Sequence, residues 1–296
     1  MRTGRIGRTA VIGAMLSGLS AACVPIRIFN AVMPQDGGVS AVARNVAFGG
    51  DPRQRLDVYA PRRPGSTAAP VVIFLYGGSW NSGTKAGYGF VGRALASRGF
   101  VVVIPDYRLV PAVRYPVFLD DNAAAVHWTR SHVAALGGDP DRLVLAGHSA
   151  GAYNAAMLAI DPRWLGDDRK AVRGWIGLAG PYDFLPLDED VTRETFGSAP
   201  DLPRTQPGAH VATGDPPALL VTGDDDTLVR PSNSDALAGQ LMTAGVPVER
   251  IRYAGIGNAG LVTAIARPFR RRAPVLADMA AFATRVTAPS VTAPVR

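Results

Sequence analysis

Short uninterrupted apolar runs alternate with stretches of helical spacing along most of this chain. "PVVIFLY" (70–76), "FVVVIPDY" (100–107) and "DRLVLAG" (141–147) are apolar at consecutive positions, as strands buried on both faces must be. Between them, "FVGRALASRG" (90–99) and "PVFLDDNAAAVHWTRSHVAALG" (116–137) carry helical spacing, and each closes on glycine. The alternation continues through "AYNAAMLAI", "VRGWIGLAG", "PPALLVTG", "SDALAGQLMTAG", "VPVERIRYAG" and "PVLADMAAFATRV". Residues 44–48 and 55–60 read as a first hairpin-like pair. Strands alternating with helices predict an α/β fold with a mostly parallel central sheet covered by helices on both faces. Residues 184–213, rich in Pro, Asp and Thr, break the rhythm and predict a minimal lid.

Composition supports a folded chain: 47% of residues are hydrophobic and 19% are charged. The net charge of +7 is almost all arginine, since Lys85 and Lys170 are the only lysines. The arginines are scattered except at Arg270–Arg272, a run read as a solvated helix start, so no nucleic-acid partner is expected. The N-terminus adds a location. Arg2, Arg5 and Arg8 precede the apolar stretch "AVIGAMLSGLSAA" (10–22), too short for a comfortable membrane span and patterned as an export signal. It ends at Cys23, the single cysteine, which leaves two readings: a lipoprotein signal with Cys23 lipidated, or an ordinary cleaved signal. The expected layout is a signal over 1–22, a linker over 23–43, one catalytic domain over 44–286 and a tail over 287–296. The expected place is the periplasm, or the membrane surface through a lipid on Cys23.

The chemistry starts at Gly147-His148-Ser149-Ala150-Gly151, a G-x-S-x-G pattern that follows a strand and opens a helix. That placement holds a serine hydroxyl exposed on a sharp turn. The helix N-terminus adds an N–H and positive potential where an oxyanion would form.

In chain order "LDVYAP", "YGGSWNSG", "PDYRL", "GGDPDRLVLAGHSAG", "GPYDF" and "GDDDTLV" make the chain resemble the α/β-hydrolase superfamily. It is most similar to small bacterial carboxylesterases of the feruloyl-esterase-like and formamidase-like kind, over about residues 44–286. The resemblance implies Ser149 as nucleophile and N–H groups of Gly78, Ser79 and Ala150 as oxyanion donors, with Gly77 keeping the loop free of side chains. Tyr76 stands where the family often has a histidine that supports this loop. The family pattern selects Asp226 from Asp224-Asp225-Asp226 as the acid that orients an imidazole, leaving Asp224 and Asp225 solvated. Trp80, Tyr182 and Phe184 are candidates for a modest apolar substrate pocket, or for packing alone. No cofactor and no metal are implied, since no pair has HExxH or CxxC spacing.

The late histidine that completes the order Ser, Asp, His is missing. "GIGNAGLV" (255–262) presents Asn258, whose amide is not basic near neutral pH. Of the four histidines, His148 is expected to pack under the turn, and His127 and His132 to lie on a flanking helix. His210, in the irregular segment, is the one a loop could carry to Ser149. Two expectations follow. One is a serine hydrolase of small carboxylic esters, strongly impaired by Asn258. The other is a non-catalytic envelope protein that binds ligands in the old cleft.

Overall fold

The computed structural model describes residues 26–63 and 65–289. Eight strands form one sheet: β1 (Val39–Ala47), β2 (Arg55–Pro61), β3 (Ala69–Leu75), β4 (Val101–Pro105), β5 (Gly138–His148), β6 (Val172–Leu178), β7 (Ala218–Gly223) and β8 (Val248–Tyr253). Their spatial order is β1-β2-β4-β3-β5-β6-β7-β8. The first two strands are antiparallel to their neighbours and the rest run parallel. In β3, Val71 to Leu75 are all fully buried. Those five side chains alone contribute on the order of 10 kcal/mol of gross burial. The edge strand β8, "VERIRY", instead has no fully buried position: Glu249 and Arg252 are exposed and the rest are partly buried.

Helices cover both faces: α1 (Ile26–Val32), α2 (Gly89–Ala96), α3 (Val117–His132), α4 (Ala150–Ile160), α5 (Asp190–Phe196), α6 (Ser232–Thr243), α7 (Asn258–Thr263) and α8 (Val275–Val286). The expected helix over 116–137 is α3 extended by a 3-10 turn, and it stops where Gly137 takes φ 85°. The irregular segment expected as a lid holds α5 and two 3-10 turns. Phe196 of α5 is fully buried, and Tyr153 Oη donates to Thr205 O at 2.6 Å.

Three expectations need correction. The stretch read as a linker, 23–43, joins the domain from Ile26 onward. Phe29 packs on Phe90 and Phe269, Asn30 bonds Phe90 N and Ala86 O, and β1 starts at Val39. Seven helical residues are too few to show a period, and the partners of Asn30 lie 56 and 60 residues away. Arg270, read as solvated, makes a two-pronged ion pair with Asp36 at 2.9 and 2.6 Å, and the last helix starts only at Val275. Thr287, placed in the tail, is buried and donates its hydroxyl to Ala283 O. Cys23 and the signal lie outside the described residues.

Candidate active site

The parallel strands end at one rim, and the turns leaving β3, β5, β7 and β8 meet there. Ser149, between β5 and α4, sits at φ 52° and ψ −124°, in the left-handed region that a side chain normally avoids. Its neighbours make the turn possible. A Cβ on Gly147 would stand 2.1 Å from Gly151 O, and one on Gly151 would stand 2.0 Å from Leu75 O. Only glycine fits either place. Ser149 N donates to Leu178 O at 2.8 Å, which ties the elbow to β6. The residue is 7% exposed, and its hydroxyl has no hydrogen-bond partner among the described residues.

The loop after β3 comes alongside. A Cβ on Gly77 would touch His148 O at 2.8 Å and Ser149 Cβ at 3.0 Å, so this backbone lies directly against the elbow. Ser79 and Trp80 both adopt positive φ, 49° and 58°. Asn81 N, Ser82 N and Ser82 Oγ all donate to Gly78 O and close the loop on itself. Ala150 opens α4, so its N–H has no intrahelical acceptor. The N–H groups of Gly78 and Ser79 donate to no backbone acceptor among the described residues.

Tyr76 is fully buried, stacked between Tyr88 and Tyr107, and its hydroxyl accepts from Arg53 Nη2 at 2.9 Å. Burial, with the Asp106 carboxylate nearby, pushes this hydroxyl far above its ordinary pKa. The same guanidinium donates to Tyr107 O and Gly83 O at 2.8 and 3.0 Å. Arg53 thus bolts the loop to β3 and β4. Sequence reading missed it, because its partners lie 23 to 54 positions away and no local pattern marks it.

Asp226 is 3% exposed and fully bonded. Its Oδ1 accepts from Leu228 N and Val229 N at 3.0 and 2.8 Å, and its Oδ2 accepts from Asn258 Nδ2 at 2.9 Å. Asp224 and Asp225 are exposed, and Asp224 pairs with Arg252. Asn258 begins α7 with its backbone O held by His148 Nε2 at 3.1 Å. His148 therefore carries its proton on Nε2. Its Nδ1 is buried without a partner, and burial holds the imidazole below its ordinary pKa despite the Asn258 contacts and the Asp226 charge.

Residues 56–241 match the BD-FAE family, which is more than half of the chain. The chain belongs to the BD-FAE family. It is by family a carboxylesterase-type α/β-hydrolase. It is 30% identical over 239 residues to a probable isoprenylcysteine alpha-carbonyl methylesterase of Arabidopsis thaliana, covering 72% of this chain and 50% of that protein. It is 29% identical to esterase LipC of Mycobacterium tuberculosis, covering 73% of this chain and 59% of that one. The chain thus spans little more than half the length of these curated relatives. Among solved structures, the carboxylesterase EstE1 from a metagenomic library superposes with a TM-score of 0.76 at 23% identity, over 89% of this chain and 94% of that one.

In this BD-FAE family member, a cavity of about 320 Å³ opens over Ser149 and is lined by Ser79, Trp80, Ala150 and Phe184 among others. Tyr182, expected with the pocket aromatics, is not part of it. Its ring packs edge-on against Trp175 in the core and its hydroxyl is buried without a partner. In the irregular loop after β6, Tyr182 turns inward while its neighbours Pro181 and Asp183 face the cavity. Trp80 is 3% exposed, with Nε1 bonded to Asn154, so it both packs and lines. His210 does not reach Ser149. Its Nε2 bonds Arg204 O at 2.8 Å and its Nδ1 lies 3.5 Å from Asp161. His127 pairs with Asp168, and His132 stacks on Trp128 along α3. Cavity residues that sequence reading missed include Asp183, Asp188, Glu189, Leu228 and Arg230.

Proposed function

We propose that this protein is a serine esterase of small carboxylic esters whose general base has been replaced by Asn258. Ser149 Oγ attacks the ester carbonyl, the N–H groups of Ser79 and Ala150, with Gly78, receive the oxyanion, and the ester C–O bond breaks to release the alcohol, which takes up the serine proton by way of solvent; water then cleaves the acyl-enzyme to the carboxylic acid and restores Ser149. One observation carries the reading. Asn258 Nδ2 donates to Asp226 Oδ2 at 2.9 Å, the bond that an imidazole Nδ1–H would make to the triad acid. An amide in that place keeps the orienting contact and has no basic atom to take the Ser149 proton. Loss of the base in a well-studied serine protease costs on the order of a million-fold in turnover, with about 10³–10⁴ over water left to the oxyanion hole and binding. The same residual range is expected here.

Labelling with a neutral fluorophosphonate, read by intact mass, tests the nucleophile. Slow single labelling of the wild type, faster labelling of Asn258→His and none of Ser149→Ala are the expected results. A wild type and an Asn258→His variant that are equally inert would contradict the esterase reading and leave a ligand-binding cleft. Export, with or without a lipid on Cys23, is part of the proposal and is supported by the N-terminal sequence pattern alone.

A further inference from the structure

The chain as a whole carries a net charge of +7, yet the cavity over Ser149 has the opposite sign. Asp183, Asp188 and Glu189 line it, with Arg230 as the one cation among its described lining residues. None of these three carboxylates makes an ion pair or accepts a side-chain hydrogen bond among the described residues, although many of the chain's other carboxylates do. A structural use can be sought for two of them, since they precede α5, where acidic groups favour the helix dipole. Glu189, the N-cap itself, makes no capping bond, and it is Asp190 that pairs with Arg193. Asp188 and Glu189 are thus left facing the cavity. Phe184, half-buried, gives the same cavity an aromatic wall, with the nearly buried Trp80 behind it at 6.2 Å between ring centroids. Ser149 completes the arrangement, nine-tenths buried and with an unpartnered hydroxyl on the same cavity.

We infer that this cleft selects esters that carry a positive charge close to the scissile carbonyl, such as quaternary-ammonium or protonated-amine esters, over neutral and anionic ones. The inference rests on the reading above that the cavity over Ser149 is the ester site. Two physical terms favour the cation. The carboxylates attract it through a mouth that is partly solvent and partly low-dielectric protein, and an aromatic face within about 6 Å adds a cation–π contact. Because the three acids are exposed, the electrostatic part is modest and salt-sensitive. The expected preference is on the order of tenfold at low ionic strength.

The test is equilibrium binding to the full wild-type chain, by titration calorimetry or ligand-observed NMR. Butyrylcholine is compared with 3,3-dimethylbutyl butyrate, its neutral isostere. The comparison is repeated at ionic strengths of about 0.01 M and about 1 M, where the screening length falls from about 30 to about 3 Å. It is also repeated in the combined variant Asp183→Asn, Asp188→Asn, Glu189→Gln, whose exposed positions leave the core untouched. A preference of about tenfold that shrinks to about twofold at high salt and in the variant is the expected result. Equal affinities, no binding of either ester, or a preference that survives neutralisation would overturn the inference. Binding does not depend on turnover. A chain that prefers the cation while Asn258→His and Ser149 stay unreactive therefore overturns the esterase reading and leaves the cation site standing.

Discussion

At the residue scale, the site is a set of ordinary groups whose surroundings assign them their chemistry. Asp226 shows this in its stability cost. Replacing it with alanine strands the N–H groups of Leu228 and Val229 and frees Asn258, so Asp226→Ala should lose about 2–4 kcal/mol in denaturant titrations. A loss below about 0.5 kcal/mol would show that solvent replaces those bonds. His148 makes a pH-dependent contribution. Burial holds its folded pKa below the ordinary 6.5, so the native state stays neutral where the unfolded chain takes up a proton. This contribution is fully present above about pH 6.5 and is lost progressively as the pH falls toward and through the folded value. Chemical denaturation at about pH 8 and about pH 5 should therefore show a smaller stability loss in His148→Gln than in the wild type. An identical pH dependence in the two proteins would remove His148 from that role.

At the scale of elements, the geometry is set by turns that the strands deliver to one rim. The elbow after β5 was legible because strand, G-x-S-x-G and helix are contiguous, and the glycine spacing reflects collisions that any side chain would cause. Asp226 and Asn258 were legible by position after β7 and β8. The support of the loop after β3 was not. Arg53 reaches Tyr76, Gly83 and Tyr107 from the turn between β1 and β2, a relation fixed only by the antiparallel pairing of β2 with β4. Arg53→Ala should cost about 2 kcal/mol and slow phosphonylation of Ser149 more than it lowers the melting point would suggest, because Ser79 and Trp80 hold strained backbone only while the loop is clamped. An Arg53→Ala variant that keeps the wild-type labelling rate would show that the loop holds its shape without the clamp. The same distance explains two misreadings. Tyr182 looked like a pocket residue beside Phe184 but faces Trp175, and α1 was hidden because its seven residues are too few to show a period.

At the scale of the whole molecule, the sheet's alternating pattern carried the fold. The burial of β3, β4 and β5 on both faces matches their unbroken apolar runs. What the pattern could not carry is the sign of the cavity, since only tertiary structure sets Asp183, Asp188 and Glu189, in the loop after β6, and Arg230, after β7, around Ser149. In the proposed reading, the fold, the elbow and the buried acid form an esterase site that lacks one group. Hydrolysis of p-nitrophenyl butyrate by the wild type, by Asn258→His and by Asn258→His with Ser149→Ala measures that claim most directly. The account predicts a gain of at least about a thousandfold in kcat/KM for Asn258→His, abolished by the serine change. An Asn258→His variant that folds with wild-type stability and stays as inactive as the starting protein would contradict it.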